Sequence, residues 1–227
     1  MRSSLVGSEM CIRDRNIAVI DYDMGNLHSV CKGLEKAGAN PKITDSPMEI
    51  DKADAVILPG VGSFDPAVQH LRTRNLEIPI KQIIASGKPF LGICLGLQIL
   101  FESSEEGREA GLGILAGKVR RFKSEPDLTI PQMGWNQLQF IQSEHLLWSE
   151  IGSQPWVYFV HSYYVDPTES HVTAATVTHG HQTVTAAVGK DNLMAVQFHP
   201  EKSATTGLKI LSNFVGKVIP KNLAIAT

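Results

Sequence analysis

The sequence predicts an α/β fold with a mostly parallel central sheet covered by helices and an antiparallel, β-rich second half. Two observations lead to this prediction. From residue 16 to about residue 117, short and nearly continuous apolar runs alternate with helical segments, a pattern typical of parallel strands buried on both faces. Beyond residue 117, segments rich in Val, Thr, Tyr and Phe are separated by turn residues such as Gly180, as in antiparallel hairpins.

The predicted strands of the first half are short apolar runs at residues 16–21, 42–44, 53–58 and 89–93. The helices predicted between and after them are residues 27–37, residues 67–86 and a segment beginning at Leu95. The predicted strands of the second half are residues 118–122, 135–141, 156–165, 172–178, 183–188 and 194–198. A last helix is predicted over residues 204–218. Because no internal repeat or long linker interrupts this pattern, we expect a single domain over residues 16–218.

The two ends of the chain do not fit the pattern. Residues 1–15 (MRSSLVGSEMCIRDR) show neither a strand nor a helix period, lack the apolar stretch of a secretory signal, and carry acidic residues that are unusual in a transit peptide. We expect a disordered or spurious leader over residues 1–15 and a frayed tail over residues 219–227. Cys11 lies in this leader and is therefore no candidate for chemistry.

The composition excludes several classes of function. Because 21 Lys and Arg balance 23 Asp and Glu, the chain lacks the positive field of a nucleic-acid-binding protein. No apolar run approaches the roughly 18 residues needed to span a bilayer. The three cysteines, Cys11, Cys31 and Cys94, form neither a complete set of pairs nor a Cys-x-x-Cys motif, so a reducing, cytoplasmic setting without a metal site is expected.

The strongest catalytic signal is the segment GICLG at residues 92–96. Cys94 is flanked by glycines two residues away on each side, after an apolar strand and before a helix, which is the nucleophile-elbow pattern with Cys in place of Ser. A helix N-terminus beside the sulfur favours the thiolate, and the backbone N–H of Leu95 is a candidate oxyanion donor. The alternative is that Cys94 is a small buried apolar residue.

A matching base occurs in the segment QFHPE at residues 197–201. Pro200 is expected to exclude a helix and to hold His199 extended, so that the side chains of His199 and Glu201 point to the same side. Glu201 would then accept a hydrogen bond from one imidazole nitrogen while the other faces Cys94, which gives a nucleophile, a base and an orienting carboxylate. A purely structural histidine is the alternative.

A third element, Pro59-Gly60-Val61-Gly62, follows a buried strand at the sheet edge where α/β sites assemble. Its backbone N–H groups could approach an anion. The segment lacks both the Gly-Lys-Ser/Thr ending and the full Gly-x-Gly-x-x-Gly of nucleotide sites, so we expect a second oxyanion donor, with a plain turn as the alternative. The glycines would also permit a peptide flip.

Together these elements resemble the class I, triad-type glutamine amidotransferases, whose pattern joins the cysteine elbow, a Gln four residues later (here Gln98) and a distant His-Pro-Glu. The resemblance implies that family's fold and the hydrolysis of glutamine to glutamate and ammonia without a cofactor. It further implies that Cys94 attacks the carboxamide, that His199 transfers protons, and that Glu201 orients His199.

Five further motifs resemble one branch of this family, in which the glutaminase subunit forms a heterodimer with a (β/α)8-barrel cyclase subunit, to which it passes ammonia in histidine biosynthesis. In chain order they are DYDMGNL (21–27), PGVGSF (59–64), PQMGWN (131–136), FVHSYY (159–164) and HPEKS (199–203). The resemblance covers residues 16 to about 218. Asp23 departs from the family, which often has Gly at this position.

By motif position, the resemblance implies contacts with glutamine at Gln98, Glu106, Ser162 and Tyr163. It implies a face toward the cyclase formed by Met133, Trp135, Asn136, Tyr158 and Lys202. Alternatives stay open, because Glu106 could be a solvated member of an acidic patch, Trp135 and Tyr158 could be core residues, and Lys202 could be a solvated charge. A glutaminase of another pathway, such as pyridoxal phosphate synthesis, and a scaffold without turnover are the rival functions.

Overall fold

A computed structural model of the chain describes residues 15–219. The predicted leader and tail therefore lie outside the described residues, apart from Arg15 and Ile219 at their inner ends. No helix among the described residues is both long and apolar enough to cross a membrane.

The first half alternates strands and helices, as predicted. Its strands are β1 (Asn16–Ile20), β2 (Asn40–Thr44), β3 (Ala55–Gly60) and β4 (Phe90–Cys94). Its helices are α1 (Leu27–Lys36), α2 (Pro47–Lys52), α3 (Phe64–Thr73), α4 (Glu77–Ala85) and α5 (Leu95–Gln98). The strands pair in parallel in the order β2-β1-β3-β4. Strands β3 and β4 are buried along their whole length, which accounts for their unbroken apolar sequence.

The helix predicted over residues 67–86 is wrong, because the structure contains two helices there. Asn75 has a φ of 57° and separates α3 from α4. Asn tolerates this left-handed conformation better than most residues, so a single residue is enough to end one helix and redirect the chain. Helix α2 was not predicted, because its six residues are too few to show a helical period.

The second half is β-rich, as predicted. Its strands are β5 (Ser103–Ser104), β6 (Gly117–Arg121), β7 (Gln132–Gln137), β8 (Gln139–Phe140), β9 (Trp156–His161), β10 (Tyr163–Pro167), β11 (Thr173–His179), β12 (Gln182–Lys190) and β13 (Leu193–Val196). Three short 3-10 turns cover Leu146–Trp148, Ser170–Val172 and Pro200–Lys202. Helix α6 (Ala204–Asn213) continues into a π-helical turn at Phe214–Val218. The predicted antiparallel hairpin around Gly180 is confirmed as β11 and β12.

The single strand predicted over residues 156–165 is wrong. The chain changes sheets at Ser162, so that β9 pairs with β7 in a separate two-stranded sheet while β10 pairs with β6 and β12 in the large sheet. The sequence does not reveal this break, because residues typical of strands continue across it. The strand predicted over residues 135–141 is likewise divided, at Leu138, into β7 and β8.

Strand β13 joins the two halves of the fold. It runs antiparallel to β12 and parallel to β4, with Val196 opposite Ile93. The chain segments that follow these two residues therefore leave the sheet side by side. This places the QFHPE segment next to the cysteine elbow, although the two are about a hundred residues apart in the sequence.

Helices cover both faces of the large sheet. Alternate residues of β1 point to opposite faces, so Ile17 and Val19 belong to one apolar core while Ala18 and Ile20 belong to the other. Helices α1 and α6 and the inner face of the β7–β9 sheet cover the first core, and α2 to α5 cover the second. The predicted fold class, a mostly parallel sheet between helices with an antiparallel second half, is confirmed.

Two glycines of the C-terminal helical segment allow a test of this packing. A Cβ atom at Gly207 would lie 1.9 Å from the carbonyl oxygen of Pro200, whereas a Cβ at Gly216 meets nothing within 4 Å. Helix propensity alone predicts that Ala in place of either Gly stabilises the protein by up to about 1 kcal/mol. We expect Gly207→Ala to lower the free energy of unfolding by about 1–3 kcal/mol through overpacking.

Urea unfolding measures both variants, with Gly216→Ala as the matched control that should be neutral or mildly stabilising. Equal stabilisation by the two substitutions would contradict the close contact between α6 and the turn at Pro200.

Candidate active site

A cavity of about 310 Å³ lies at the carboxyl edge of the parallel sheet. It brings together most of the predicted site residues, namely Val61, Gly62, Cys94, Leu95, Gln98, Glu106, Ser162, Tyr163 and His199. It is also lined by Pro131, Val160 and His161, to which the sequence assigned no role. These three residues lie in motifs already noted, at one end of the β7–β9 sheet. Gly60 and Glu201 do not line the cavity and lie behind it.

The elbow at Cys94 has strained backbone geometry. Cys94 is 7% exposed and adopts a φ of 55°, a left-handed conformation that costs a non-glycine residue energy. A Cβ at Gly96 would lie 1.9 Å from the carbonyl oxygen of Leu58, and one at Gly92 would lie 2.9 Å from the Cβ of Ala195. Glycine is thus required at both positions because neighbouring strands approach closely.

Helix α5, which begins after Cys94, has only four residues. The sulfur therefore lies beside the first free N–H groups of one helical turn and not beside a long helix dipole, so the predicted dipole effect is smaller than expected. The N–H of Leu95 belongs to this first turn.

His199 and Glu201 form a buried pair. The Nδ1 atom of His199 donates to Oε1 of Glu201 at 2.8 Å, and the two side chains are only 2% and 1% exposed. His199 is extended, as predicted, with φ −101° and ψ 97°. The prediction that Pro200 excludes a helix is wrong, because Pro200 begins a 3-10 turn, where its missing N–H is not needed. Glu201 reaches back to the imidazole from this turn.

The charge state of His199 follows from competing influences. Burial lowers its pKa, but Cys94 and Glu201 outweigh burial and raise the pKa to about 9. The imidazole is therefore protonated at neutral pH. Its Nε2 atom is buried and has no hydrogen-bond partner among the described residues. That atom can transfer a proton to or from a group that enters the cavity.

Gln197 connects the nucleophile to the cavity wall, a contact that the sequence did not predict. Its Nε2 atom donates to Sγ of Cys94 at 3.6 Å, and its Oε1 atom accepts from Nε2 of Gln98 at 3.0 Å. Gln98 Nε2 also donates to the carbonyl oxygen of Tyr163 at 3.0 Å. The available signal was the position of Gln197 in the same short segment as His199.

The loop at Gly60, Val61 and Gly62 is held by a neighbouring loop. The N–H of Val61 donates to the carbonyl oxygen of Met24 at 2.9 Å, so it is not free to bind an oxyanion in this conformation. Gly62 has a φ of 98°, and a Cβ at Gly60 would lie 2.4 Å from the hydroxyl of Tyr22. The loop thus lies at the cavity, but the N–H of Val61, a predicted oxyanion donor, points to Met24.

Asp23, the departure from the family pattern, lies in the loop that holds Val61. It has a φ of 66°, a conformation that favours the glycine often found at this position. The guanidinium of Arg74 donates to its carboxylate at 2.6 Å, and this contact lowers the pKa of Asp23. Arg74 thereby ties the loop to the end of α3.

Glu106 and His161 lie on the cavity wall with distinct polar character. Glu106 is half-buried and accepts from the backbone N–H of Phe64 at 2.9 Å, and burial raises its pKa. His161 donates through Nδ1 to the carbonyl oxygen of Tyr163 at 2.8 Å, and burial lowers its pKa to about 4. Glu106 is therefore no freely solvated charge, and His161 is neutral at physiological pH.

The residues predicted to face a partner are only partly brought together. Met133 and Trp135 are 66% and 49% exposed on the outer face of β7, and the Trp135 ring contacts that of Tyr158 edge to face at 6.2 Å. Lys202 is exposed on the turn after His199. Asn136 instead donates to the carbonyl oxygen of Thr178 at 2.8 Å and ties β7 to β11. Among residues 15–219, no cluster of His, Cys, Asp and Glu side chains is suited to a metal ion.

Comparison with known proteins gives consistent matches. The model of the family "Glutamine amidotransferase class-I" matches residues 18–218. The chain is 90% identical over 211 residues to imidazole glycerol phosphate synthase subunit HisH of Trichodesmium erythraeum (strain IMS101), covering 93% of this chain and 99% of that protein. It is 73% identical over 202 residues to the subunit of the same name from Microcystis aeruginosa, covering 89% and 95%.

Two solved structures share the fold at low sequence identity. A putative GMP synthase subunit from Thermoplasma acidophilum has a TM-score of 0.68 at 20% identity and covers 92% of this chain and 96% of its own. PurLQS from Thermotoga maritima has a TM-score of 0.67 at 20% identity and covers 92% and 97%. The chain therefore belongs to the class-I glutamine amidotransferase family and, within it, to the HisH subunits of imidazole glycerol phosphate synthase.

Proposed function

We propose that this chain hydrolyses glutamine to glutamate and ammonia with Cys94, His199 and Glu201, and that it delivers the ammonia to a cyclase subunit in histidine biosynthesis. The observation that carries the proposal is the buried His199–Glu201 pair, 2.8 Å apart, at a cavity shared with the strained Cys94. A relative with 90% identity named as a synthase subunit supports the choice of pathway.

The first half of the proposed reaction forms a thioester. The Cys94 thiolate attacks the carboxamide carbon of glutamine, and the electron pair of the carbonyl moves to its oxygen. Protonated His199 then gives the proton on Nε2 to the nitrogen, the C–N bond breaks, and ammonia leaves. A pKa of about 9 suits His199 to this role as an acid, because the imidazolium is the prevailing form at neutral pH.

The second half hydrolyses the thioester. Neutral His199 accepts a proton from water, the resulting hydroxide attacks the thioester carbon, and the C–S bond breaks to release the Cys94 thiolate. The carboxylic acid formed in this way loses its proton to solvent and departs as glutamate. Glu201 keeps Nδ1 protonated and the ring oriented throughout, since Nδ1 donates to its carboxylate. Release of glutamate leaves the thiolate and the imidazolium ready for the next turnover.

The proposed oxyanion site has only one of its two N–H donors available in this conformation. The N–H of Leu95 supplies one donor, but the N–H of Val61 is bound to the carbonyl oxygen of Met24. Gly60 and Gly62 on either side of Val61 permit the peptide to turn toward the cavity. We infer low glutaminase activity for the isolated chain and higher activity once the cyclase and its ligand favour the turned conformation.

The direction of the hydrogen bonds in the cavity indicates which residues would bind the α-ammonium group of the substrate glutamine. Both hydrogens of Gln98 Nε2 are used by Tyr163 and Gln197, so the Oε1 atom of Gln98 remains as an acceptor. This oxygen and the half-buried Glu106 carboxylate suit the α-ammonium group of glutamine. Ser162 and Tyr163 line the wall of the cavity and by motif position would hold the α-carboxylate.

The outer face of the β7–β9 sheet is the proposed docking surface for the cyclase subunit. Met133 and Trp135 expose apolar side chains there, beside Tyr158, and Lys202 lies on the turn that follows His199. Pro131 and Val160, which belong to the same end of this sheet, line the cavity. Ammonia released at Cys94 would therefore have only a short distance to travel to the partner.

Replacement of Cys94 tests the nucleophile. Cys94→Ala should abolish glutamate release, because no other group in the cavity can form the thioester. Cys31→Ala is the matched control, since Cys31 is similarly buried (8% against 7%) but lies on α1, where it packs into the apolar core. Glutaminase assays of the complex with the cyclase subunit measure both. Retention of activity in Cys94→Ala would refute the proposed mechanism.

The charge of His199 can be measured directly by NMR titration of its imidazole. The wild-type protein should titrate near pH 9, with the imidazolium losing its proton as the pH rises through that value. Glu201→Gln removes one of the two groups that raise the pKa while Cys94 remains, so the midpoint should fall below the wild-type value.

Glu35→Gln, the same substitution at an exposed carboxylate of α1, is the control and should leave the His199 midpoint unchanged. An unaltered midpoint in Glu201→Gln would mean that Glu201 does not set the charge of His199.

The docking surface can be tested with two equally exposed apolar residues. Met133 and Ile78 are both 66% exposed, but Ile78 lies on α4, away from the β7–β9 sheet. Met133→Glu should weaken the Kd for the cyclase subunit at least about tenfold by placing a charge in an apolar contact. Ile78→Glu should bind like the wild-type chain in isothermal titration calorimetry. Equal affinities for both variants would argue against this face.

A further inference from the structure

We propose that Gln197 is a positioning residue of the glutaminase site: its side-chain amide holds the Cys94 sulfur by an N–H donor and fixes the orientation of Gln98. This inference rests on the proposed function, because it takes Cys94 as the nucleophile. It adds a residue to which neither the triad nor the substrate-binding motif assigns a role.

The direction of every hydrogen bond in this network follows from one backbone group. The carbonyl oxygen of Tyr163 can only accept, so Gln98 must turn its nitrogen toward it. The same nitrogen faces Gln197, which must therefore present its oxygen. The amide nitrogen of Gln197 is then left to face Sγ of Cys94. The donor at the sulfur is thus a consequence of connectivity and not a free choice of amide orientation.

The position of Gln197 is rigid as well as directional. Its side chain is fully buried, and its backbone N–H donates to the carbonyl oxygen of Ala186 at 2.8 Å. It follows directly on β13, whose Val196 pairs with Ile93 just before Cys94. Two adjacent parallel strands therefore set the separation of the amide and the sulfur.

An N–H donor at the sulfur has a definite chemical effect. It stabilises the thiolate more than the neutral thiol, because a hydrogen bond to a charged acceptor is the stronger one. A carboxamide does not ionise near neutral pH, so Gln197 can polarise and orient Cys94 without competing with His199 as an acid or a base. The same amide, through its oxygen, holds Gln98 with Oε1 available for substrate.

The chain offers a matched comparison in Gln132. This glutamine of β7 is also buried, at 3% exposure, but its amide atoms have no hydrogen-bond partner among the described residues. Substitution of Gln132 thus perturbs a buried amide of the same type without removing a contact to Cys94.

The test measures the rate of Cys94 alkylation by iodoacetamide as a function of pH in the full chain. Mass spectrometry of the peptide that contains Cys94 separates it from the other cysteines. Gln197→Met removes both the donor and the acceptor at nearly constant volume. Gln197→Glu keeps an acceptor for Gln98 but removes the donor and places a negative charge near the sulfur. Gln132→Met is the control.

We expect the midpoint of the alkylation profile to move to higher pH by about one unit in Gln197→Met. This shift corresponds to about a tenfold lower thiolate fraction at a pH below the midpoint. Gln197→Glu should move it at least as far, and Gln132→Met should not move it. Because Gln197→Glu is nearly isosteric, an unchanged profile in this variant can still refute the proposal where Gln197→Met fails to fold.

An unchanged profile in Gln197→Glu would overturn the proposal, since it would show that only the contact with Gln98 matters. An equal shift in Gln132→Met would also overturn it, because the effect would then be a general one of buried amides. A wild-type Cys94 that does not react at any pH would refute the proposed function itself and this inference with it.

Discussion

The parallel pairing of β4 with β13 is the contact on which the site depends. It brings together Cys94 and Gln197, which are 103 positions apart in the chain, at adjacent strand ends. Because the register of a parallel pair is set by buried apolar residues on both faces, the spacing of nucleophile, amide and imidazole is a property of the core. Cys94 ends β4 and His199 follows closely on β13, and both side chains are buried, so their positions depend on the sheet and need little loop ordering.

Close backbone contacts and hydrogen bonds both shape the site around this pair of strands. At the elbow, Gly92 and Gly96 allow close approach to Ala195 and Leu58, and Cys94 between them has a positive φ. Beside this turn, Gln197 donates to the Cys94 sulfur and His199 donates to Glu201. The loop at Val61 differs, because its N–H donates to the carbonyl oxygen of Met24, in a segment whose exposed Asp23 pairs with Arg74 and His70. Cys94, Val61 and Gly62 thus line the same cavity.

The sequence predicted the features that depend on local pattern. Apolar runs predict the buried strands. The residues around Cys94 and His199 form local motifs typical of a nucleophile and its base, so the sequence predicts that the two side chains lie close together. Features set by long-range contacts could not be predicted. The sheet change at Ser162 is invisible because strand-forming residues continue across it, and the helix break at Asn75 depends on one backbone angle. The hydrogen bond from the Val61 N–H to Met24 and the contacts of Gln197 with Cys94 and Gln98 both depend on which residues the strand order makes neighbours.

In the proposed reaction, Cys94 carries the acyl group of glutamine during turnover. Acid quenching of the chain mixed with glutamine and the cyclase subunit, followed by mass spectrometry of its peptides, tests this most directly. We expect a glutamyl adduct on the peptide that contains Cys94, labile to hydroxylamine as a thioester is, and absent without glutamine. Steady release of glutamate with no adduct on that peptide, or with the adduct on another residue, would contradict it.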